Sequence, residues 1–206
     1  MQVIDFKKDP IYKAKTKPQI INIPEMSFVM IDGEGAPESS SKSETEFQEA
    51  LAAMYGIVYT IKFWEKKFTP PAGYAKFTMA PLEALWWMKN GHEFDMNQPD
   101  EWRWTAMIRV PEFVTPEYFG DVITAVKEAK KSDVYGKARQ EKFTEGTCVQ
   151  IMHIGPYNQE QADIDAMHAY AIEQGHKLRG KHHELYFGDP RRTAPEKLKT
   201  ILRRPC

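Results

Sequence analysis

Apolar residues divide the chain into strand-like and helical stretches that occur in the same order twice. In the first half, a short apolar run at 28–31 precedes apolar residues that recur at helical spacing from Phe47 to about Trp64. Ser43 and Glu46 match a capping box at the start of this predicted helix. Three aromatic-rich stretches that favour strands come next, at residues 74–79, 81–88 and 102–110.

The second half begins with Thr115-Pro116, which has the residue types preferred at a helix N-cap and first helical position. A charged connection, predicted over residues 132–147, then leads into a second copy of the pattern. This copy comprises a strand at 148–154, a helix at 159–173 that ends at Gly175, strands or a hairpin at 177–181 and 182–187, and a last strand at 199–203.

The two halves also share a motif. Glu83 lies in an apolar run that precedes Arg109-Val-Pro111, and Glu184 lies in an apolar run that precedes Arg203-Arg-Pro205. The repeated order of elements, together with this shared ending, predicts a duplication within the chain.

The duplication predicts an α+β fold of tandem β-α-β-β modules with antiparallel sheets. Module one covers about residues 25–112 and module two about residues 113–206, and the two form one ligand-binding domain. The proline-containing residues 1–24 are predicted to form an N-terminal arm. Because a glutamate occupies a matching strand in each module, we expect a central ligand cavity on a pseudo-twofold axis.

Composition narrows the classes of partner. The chain has 206 residues and a formal net charge of −1, whereas an electrostatic nucleic-acid binder would need a basic excess. Two cysteines do not make a disulfide framework, and no apolar run approaches the roughly 20 residues that span a bilayer. The N-terminal residues do not resemble a signal peptide. We therefore expect a cytoplasmic protein with no nucleic-acid or membrane partner.

Strand alternation sorts the side chains around each glutamate onto two faces. Glu184 shares a face with His182 and Tyr186, and Glu83 shares a face with Trp87. A carboxylate among aromatic rings suits a general base or the counter-ion of a cationic ligand. The alternative for Glu184 is an exposed edge-strand glutamate facing Lys or Arg, and the alternative for Glu83 is a surface glutamate. We expect the two glutamate faces to look into one cavity.

Aromatic residues supply the other candidates for ligand contact. Five tryptophans lie between residues 64 and 104, more than a small sheet core requires. Core packing is the default role for any one of them, but Trp87 and Trp104 are candidates for stacking on a flat ligand. Tyr55, one helical turn before Tyr59, is a candidate for a hydroxyl at the cavity edge, with core packing as its alternative.

No metal or cofactor is expected. The sequence lacks His-Glu-x-x-His and Cys-x-x-Cys motifs, and the adjacent His182 and His183 point to opposite faces of a strand. It also lacks a glycine-rich phosphate loop and a Gly-x-Ser-x-Gly elbow.

Three segments together resemble a known family. They are Phe113-Val-Thr-Pro116 just after Arg109-Val-Pro111, the Trp102-Arg-Trp104 motif, and the ordered C-terminal run from Glu184-Leu-Tyr-Phe through Arg204-Pro205. They are similar to the GyrI-like small-molecule-binding proteins and, within these, to the free-standing bacterial branch without a DNA-binding domain. The resemblance covers about residues 20–206.

The resemblance implies a fold of two β-α-β-β modules with the ligand cavity where they meet. It matches Glu184 to the glutamate that engages cationic drugs in multidrug-sensing relatives. Free-standing members similar to this chain are assigned as hydrolases of cyclopropane-bearing, DNA-alkylating natural products. The resemblance thereby implies Glu184 as the base and Tyr55 as a positioning hydroxyl. Trp87 and Trp104 would stack on the ligand, and Glu83 would line the opposite wall.

The predicted function is therefore hydrolytic detoxification of planar electrophiles by water activation in an aromatic pocket. One alternative is non-catalytic binding or sequestration of planar or cationic small molecules. Another is a gyrase-inhibitor-like interaction protein. A transcription regulator is disfavoured because residues 1–24 are too few for a DNA-binding domain.

Overall fold

The computed structural model describes residues 3–37, 44–91, 94–95, 97–130 and 132–206. Within them, eight strands form one antiparallel sheet. The strands are β1 (Gln19–Ile23), β2 (Met26–Glu34), β3 (Leu82–Met88), β4 (Trp102–Arg109), β5 (Arg139–Phe143), β6 (Gly146–Ile154), β7 (His182–Phe187) and β8 (Lys199–Pro205). The α-helices are α1 (Glu46–Lys62), α2 (Pro116–Lys130) and α3 (Gln161–Glu173). These elements confirm the predicted α+β class.

The sheet is symmetric in its strand order, β1-β6-β8-β7-β3-β4-β2-β5. If each strand is exchanged with the one four places away in the chain, the same order is read backwards. β3 and β7 pair at the centre, while the outer strands β1 and β5 each pair with the second strand of the other half. A duplicated unit with a twofold axis would have this symmetry. The duplication itself and the module boundaries stay predictions.

The two outer strands come from segments in which no strand is predicted. β1 lies in the predicted arm, and β5 lies in the predicted charged connection. Their side chains are mostly exposed or half-buried, so they lack the apolar alternation that reveals a central strand. The described part of the arm also packs on the domain, because Phe6, Ile11 and Tyr12 are buried.

The strands predicted at 74–79 and 177–181 are wrong, because both fully described segments are irregular. Individual hydrogen bonds and an isolated bridge hold these segments, rather than a strand ladder. Phe77 is buried and forms an isolated bridge with Ile4. The backbone N–H of Arg179 donates to the Pro205 carbonyl at 2.9 Å.

The helix starts follow their capping residues. The Gln48 backbone N–H donates to Thr45 Oγ1 and the Thr45 backbone N–H donates to Gln48 Oε1, each at 3.2 Å, which makes a capping box for α1. The box predicted from Ser43 involves a residue outside the described ranges. At α2, the Tyr118 N–H donates to Thr115 Oγ1 at 3.2 Å, which confirms Thr115 as the cap.

Two helices cover opposite halves of one face of the sheet. α1 packs on β2 and β4, and α3 packs on β6, β8 and β1. Phe47 of α1 contacts Trp86 and Trp104, with ring centroids 5.2 and 5.0 Å apart. The central strands β3 and β7 therefore form a floor between α1 and α3, and residues on that side of them point into the space between the helices.

Gly33 is required where β2 passes beneath Trp104. A Cβ at Gly33 would overlap the Trp104 indole, which is fully buried. Gly33→Ala is therefore expected to lower the free energy of unfolding by about 1–3 kcal/mol, measured by urea denaturation. Gly120→Ala on α2, where a Cβ meets open space, is the control and should be neutral or raise stability by about 0.5–1 kcal/mol. Equal stability of the two variants would contradict this account.

Candidate functional site

The register of the central strands places the two glutamates on opposite faces of the sheet. Glu184 of β7 is opposite Ala84, whereas Glu83 of β3 is opposite Leu185. Residues directly opposite in an antiparallel pair share a face, and neighbours along a strand alternate. Glu83 and Glu184 therefore do not line one cavity, which corrects the expectation of a shared one. Glu184 lies on the face that carries α1 and α3.

Glu184 is held by a short chain of hydrogen bonds. It is 8% exposed. The Tyr186 hydroxyl donates to Oε2 at 2.7 Å, and His182 Nε2 lies 3.1 Å from Oε1. Trp86 Nε1 donates to the Tyr186 hydroxyl at 2.9 Å. Burial, and then the charge of Glu184, raise the Tyr186 pKa well above its usual value, so the phenol stays a donor.

Aromatic rings enclose this group. The Phe94 ring stacks on His182 with centroids 5.4 Å apart, and it lies 5.0 Å from the Trp102 ring. On the side of α3, the Tyr157 ring meets the Tyr186 ring edge-on at 5.8 Å. We call Glu184, Tyr186, His182, Trp86, Trp102, Phe94 and Tyr157 the Glu184 site. It provides one carboxylate in an aromatic enclosure.

A second carboxyl group borders the Glu184 site at the start of α3. Glu160 is 1% exposed and precedes the first residue of the helix. Burial, and then the negative charge of Glu184, raise the Glu160 pKa far above its usual value, and the Thr200 hydroxyl offsets part of the rise. The sequence does not single out Glu160, because an acidic residue at a helix N-terminus is ordinarily explained by the helix dipole.

Tyr55 and Trp104 have different surroundings. Tyr55 is half-buried on α1, its ring 6.4 Å from that of Tyr59. Its pKa is raised by burial and then by the charges of Tyr59 and Asp189. Trp104 shares the Glu184 face but is fully buried beneath Phe47. It therefore packs in the core, and the tryptophan that bonds into the Glu184 site is Trp86.

Glu83 belongs to a buried ionic network on the other face. The Tyr12 hydroxyl donates to Glu83 Oε1 at 2.8 Å, and Glu83 Oε2 forms an ion pair with His183 Nε2 at 3.2 Å. His183 Nδ1 lies 2.9 Å from Glu145 Oε2, which pairs with Arg203 Nη1 at 3.4 Å. All five residues are less than 5% exposed. Because two acids meet two bases, the network is electrically balanced.

The buried network makes stability depend on pH. Burial alone would lower the His183 pKa, but Glu145 and then Glu83 outweigh it and raise the pKa from 6.5 to about 9. The folded state thus holds a proton that the unfolded chain loses, so this stabilisation is present below pH 6.5 and is lost as pH rises towards 9. The loss is on the order of 3 kcal/mol at most.

Urea titrations at pH 6, 7.5 and 9 should therefore show decreasing stability of the wild type. The double variant Glu83→Gln/His183→Gln removes one charge of each sign and should show a shallower decline. A decline as steep as that of the wild type would contradict the role of His183.

Trp87 lines a separate cavity on the Glu83 face. Lys181 Nζ lies 3.3 Å from the centroid of its ring, and the cavity of about 480 Å³ is bordered by both residues. Asp32 and Arg139, which form an ion pair at 2.8 Å, also border it. Trp87 is thus separated from Glu184 by the sheet, because it lies one residue from Trp86 and points the other way.

The described residues contain neither a metal-binding cluster nor a membrane-spanning helix. In the described ranges, no group of three or more His, Cys, Asp or Glu side chains is arranged to hold a metal ion. Among the described helices, none combines the length and apolar character needed to cross a membrane.

A family model described as the GyrI-like small molecule binding domain matches residues 16–205. The chain belongs to this family. The resemblance to GyrI-like proteins is thereby confirmed, and the family description assigns a small molecule as the ligand. None of the curated proteins matches the chain at a significant level.

Three solved structures of proteins from Listeria innocua are similar to the chain. Two proteins named as hydrolases are each 38% identical to the chain, with TM-scores of 0.85 and 0.88. An uncharacterized conserved protein is 39% identical, with a TM-score of 0.88. The alignments cover 98%, 99% and 98% of this chain, respectively, and the same shares of the other chains. The similarity therefore extends over nearly the full length of each of these solved chains.

Proposed function

We propose that the protein hydrolyses planar electrophilic small molecules that carry a cyclopropane ring and alkylate DNA, and that it thereby detoxifies them. The observation that carries the proposal is the Glu184 carboxylate, 8% exposed and hydrogen-bonded by Tyr186 within an aromatic enclosure. Family membership supports a small-molecule ligand. The two Listeria innocua relatives named as hydrolases support hydrolysis.

The chemistry suits a single carboxylate base. In a cyclopropane fused to a conjugated dienone, water forms a bond to the unsubstituted ring carbon as a ring C–C bond breaks. The electron pair of that bond moves into the dienone, which becomes a phenol once its oxygen takes a proton. Glu184 accepts the proton that water loses. General base catalysis contributes about 10²–10⁴-fold, which is useful where ring strain already favours the reaction.

The neighbours of Glu184 have separate roles in this proposal. Tyr186 and Trp86 fix the orientation of the carboxylate through their hydrogen bonds, and Tyr186 also contacts the ligand. Tyr55, on the α1 side, supplies a hydroxyl that positions the water. The half-buried rings of Trp102 and Tyr157 provide flat apolar surfaces for a planar ligand.

The test is direct incubation with a cyclopropane-fused dienone. Purified protein at catalytic concentration should convert the compound to a product heavier by one water, detected by mass spectrometry, faster than buffer does. Recovery of the intact compound after prolonged incubation with excess protein would contradict the proposal.

Binding without turnover is the second candidate function. It is favoured by the family description and by an enclosed carboxylate beside aromatic rings, which also suits a planar cation. Stoichiometric quenching of tryptophan fluorescence, with every ligand molecule recovered unchanged, would support binding over hydrolysis.

A further inference from the structure

We infer that Glu160 is the proton donor of the Glu184 site and delivers its proton to the ligand oxygen on which charge develops. The inference rests on the proposed hydrolysis. It assigns to Glu160 the half of the proton transfer that Glu184, as the base, cannot perform.

The position of Glu160 carries the inference. Its side chain is 1% exposed and does not cap α3, although it precedes the helix. Among the described residues, Glu160 Oε1 and Thr200 Oγ1 have no well-formed hydrogen-bond partner. Thr200 is opposite Tyr186 in the β7–β8 pair, so it shares the face that carries Glu184. A buried carboxyl oxygen without a partner at the edge of an aromatic enclosure is available to a ligand.

The groups around Glu160 keep it neutral. Its neighbours are Glu184 from β7, Thr200 from β8 and Asp163 from α3, and its charge is also felt by Tyr186. His153 of β6 contacts Asp163, with its Nδ1 atom 2.7 Å from Asp163 Oδ2. Two of the neighbours are acids, so ionisation of Glu160 would add a further negative charge to a buried site. One proton therefore resides on Glu160 while Glu184 remains the base.

The proton balance closes in one turnover. Glu184 takes a proton from the attacking water, and the Glu160 O–H donates to the dienone oxygen, which leaves as a neutral phenol. The carboxyl pair then holds the same single proton as before, with its location reversed. Transfer through solvent after product release restores the starting state, and no further reactant is consumed.

The experiment compares Glu160→Gln with Glu173→Gln, a substitution of the exposed last residue of α3. Gln reproduces the shape of a neutral carboxylic acid but holds no transferable proton. For the cyclopropane-fused dienone, Glu160→Gln should lower kcat about 10²-fold with KM nearly unchanged. The wild-type loss of kcat at high pH should also disappear. Glu173→Gln should retain the kcat and pH profile of the wild type.

An infrared measurement needs no substrate. At pH 8, the wild type should show the carbonyl band of a protonated carboxylic acid, and Glu160→Gln should lack it. Its unfolding midpoint at pH 8 should be no lower than that of the wild type, because Glu160 destabilises the fold as pH rises above the usual glutamate range.

The outcomes separate the two proposals. A wild type without turnover would overturn the proposed function and the donor role with it. Wild-type turnover with unchanged kinetics in Glu160→Gln would overturn the donor role alone. A wild-type spectrum without the acid band at pH 8 would do the same.

Discussion

Glu184→Gln is expected to lower kcat for a cyclopropane-fused dienone by about 10²–10⁴-fold. The amide keeps the size of the side chain and still accepts a hydrogen bond from Tyr186, 2.7 Å from Oε2 in the wild type. It cannot accept a proton from water. Because ligand contacts with the aromatic rings persist, KM should change much less than kcat. Steady-state kinetics with product detection by mass spectrometry measures both.

The matched control is Glu196→Gln, an exposed glutamate in the loop between β7 and β8. It makes the same chemical change outside the Glu184 site and should leave kcat as in the wild type. Tyr186→Phe should show a smaller loss than Glu184→Gln, because it frees the carboxylate without removing it. Equal rates for Glu184→Gln and the wild type would rule out Glu184 as the base.

The alternation of side chains along a strand predicts which residues lie beside Glu184. His182 and Tyr186 lie beside it as the two-residue period predicts, and both are within hydrogen-bonding distance. The same parity grouped Glu83 with Trp87, and both do lie on one face. Parity within a strand says nothing about its register with the next strand. The central register, Ala84 opposite Glu184, therefore could not be obtained from the sequence, and it separates the two glutamates.

The pattern of apolar residues also does not reveal which tryptophans are buried in the core and which contact the Glu184 site. Trp86 and Trp87 are adjacent and chemically identical, yet their contacts differ. Trp86 donates a hydrogen bond to the Tyr186 hydroxyl, whereas the ring of Trp87 makes a cation–π contact with Lys181. Trp104 is covered by Phe47 because α1 packs above it, a contact between residues distant in sequence. Glu160 was missed for a similar reason. Its unusual environment is created by Glu184 and Thr200, which reach it through the folding of β7 and β8 beside α3.

The edge strands show a further limit on predicting strands from the sequence. β5 has the sequence Arg-Gln-Glu-Lys-Phe, which carries no apolar alternation. Its pairing with β2 comes from the backbone, and its charged side chains protect the edge from other chains. Strands of this kind can be identified only when the strand that they pair with is known.

Arg203→Met is expected to lower the free energy of unfolding by about 3–5 kcal/mol, because it leaves a buried acid with too little positive charge. Arg203 is fully buried and belongs to the same buried ionic network as Glu83. Its guanidinium donates to Gln150 Oε1 at 3.0 and 3.1 Å, to the Ile11 carbonyl at 2.7 Å and to Glu145 at 3.4 Å. Removing it unpairs these groups together and loosens the attachment of the N-terminal segment. For a chain of this size, the thermal midpoint should fall by roughly 6–20 °C.

A double-mutant cycle separates charge imbalance from lost packing. Arg203→Met/Glu145→Gln removes one charge of each sign, so the remaining pair of His183 and Glu83 is still balanced. The double variant should recover more than half of the stability lost in Arg203→Met, measured by urea denaturation. Arg192→Met, whose side chain is 87% exposed, is the control and should match the wild type. No recovery in the double variant would mean that packing and the bonds to Gln150 and Ile11, rather than buried charge, make Arg203 essential.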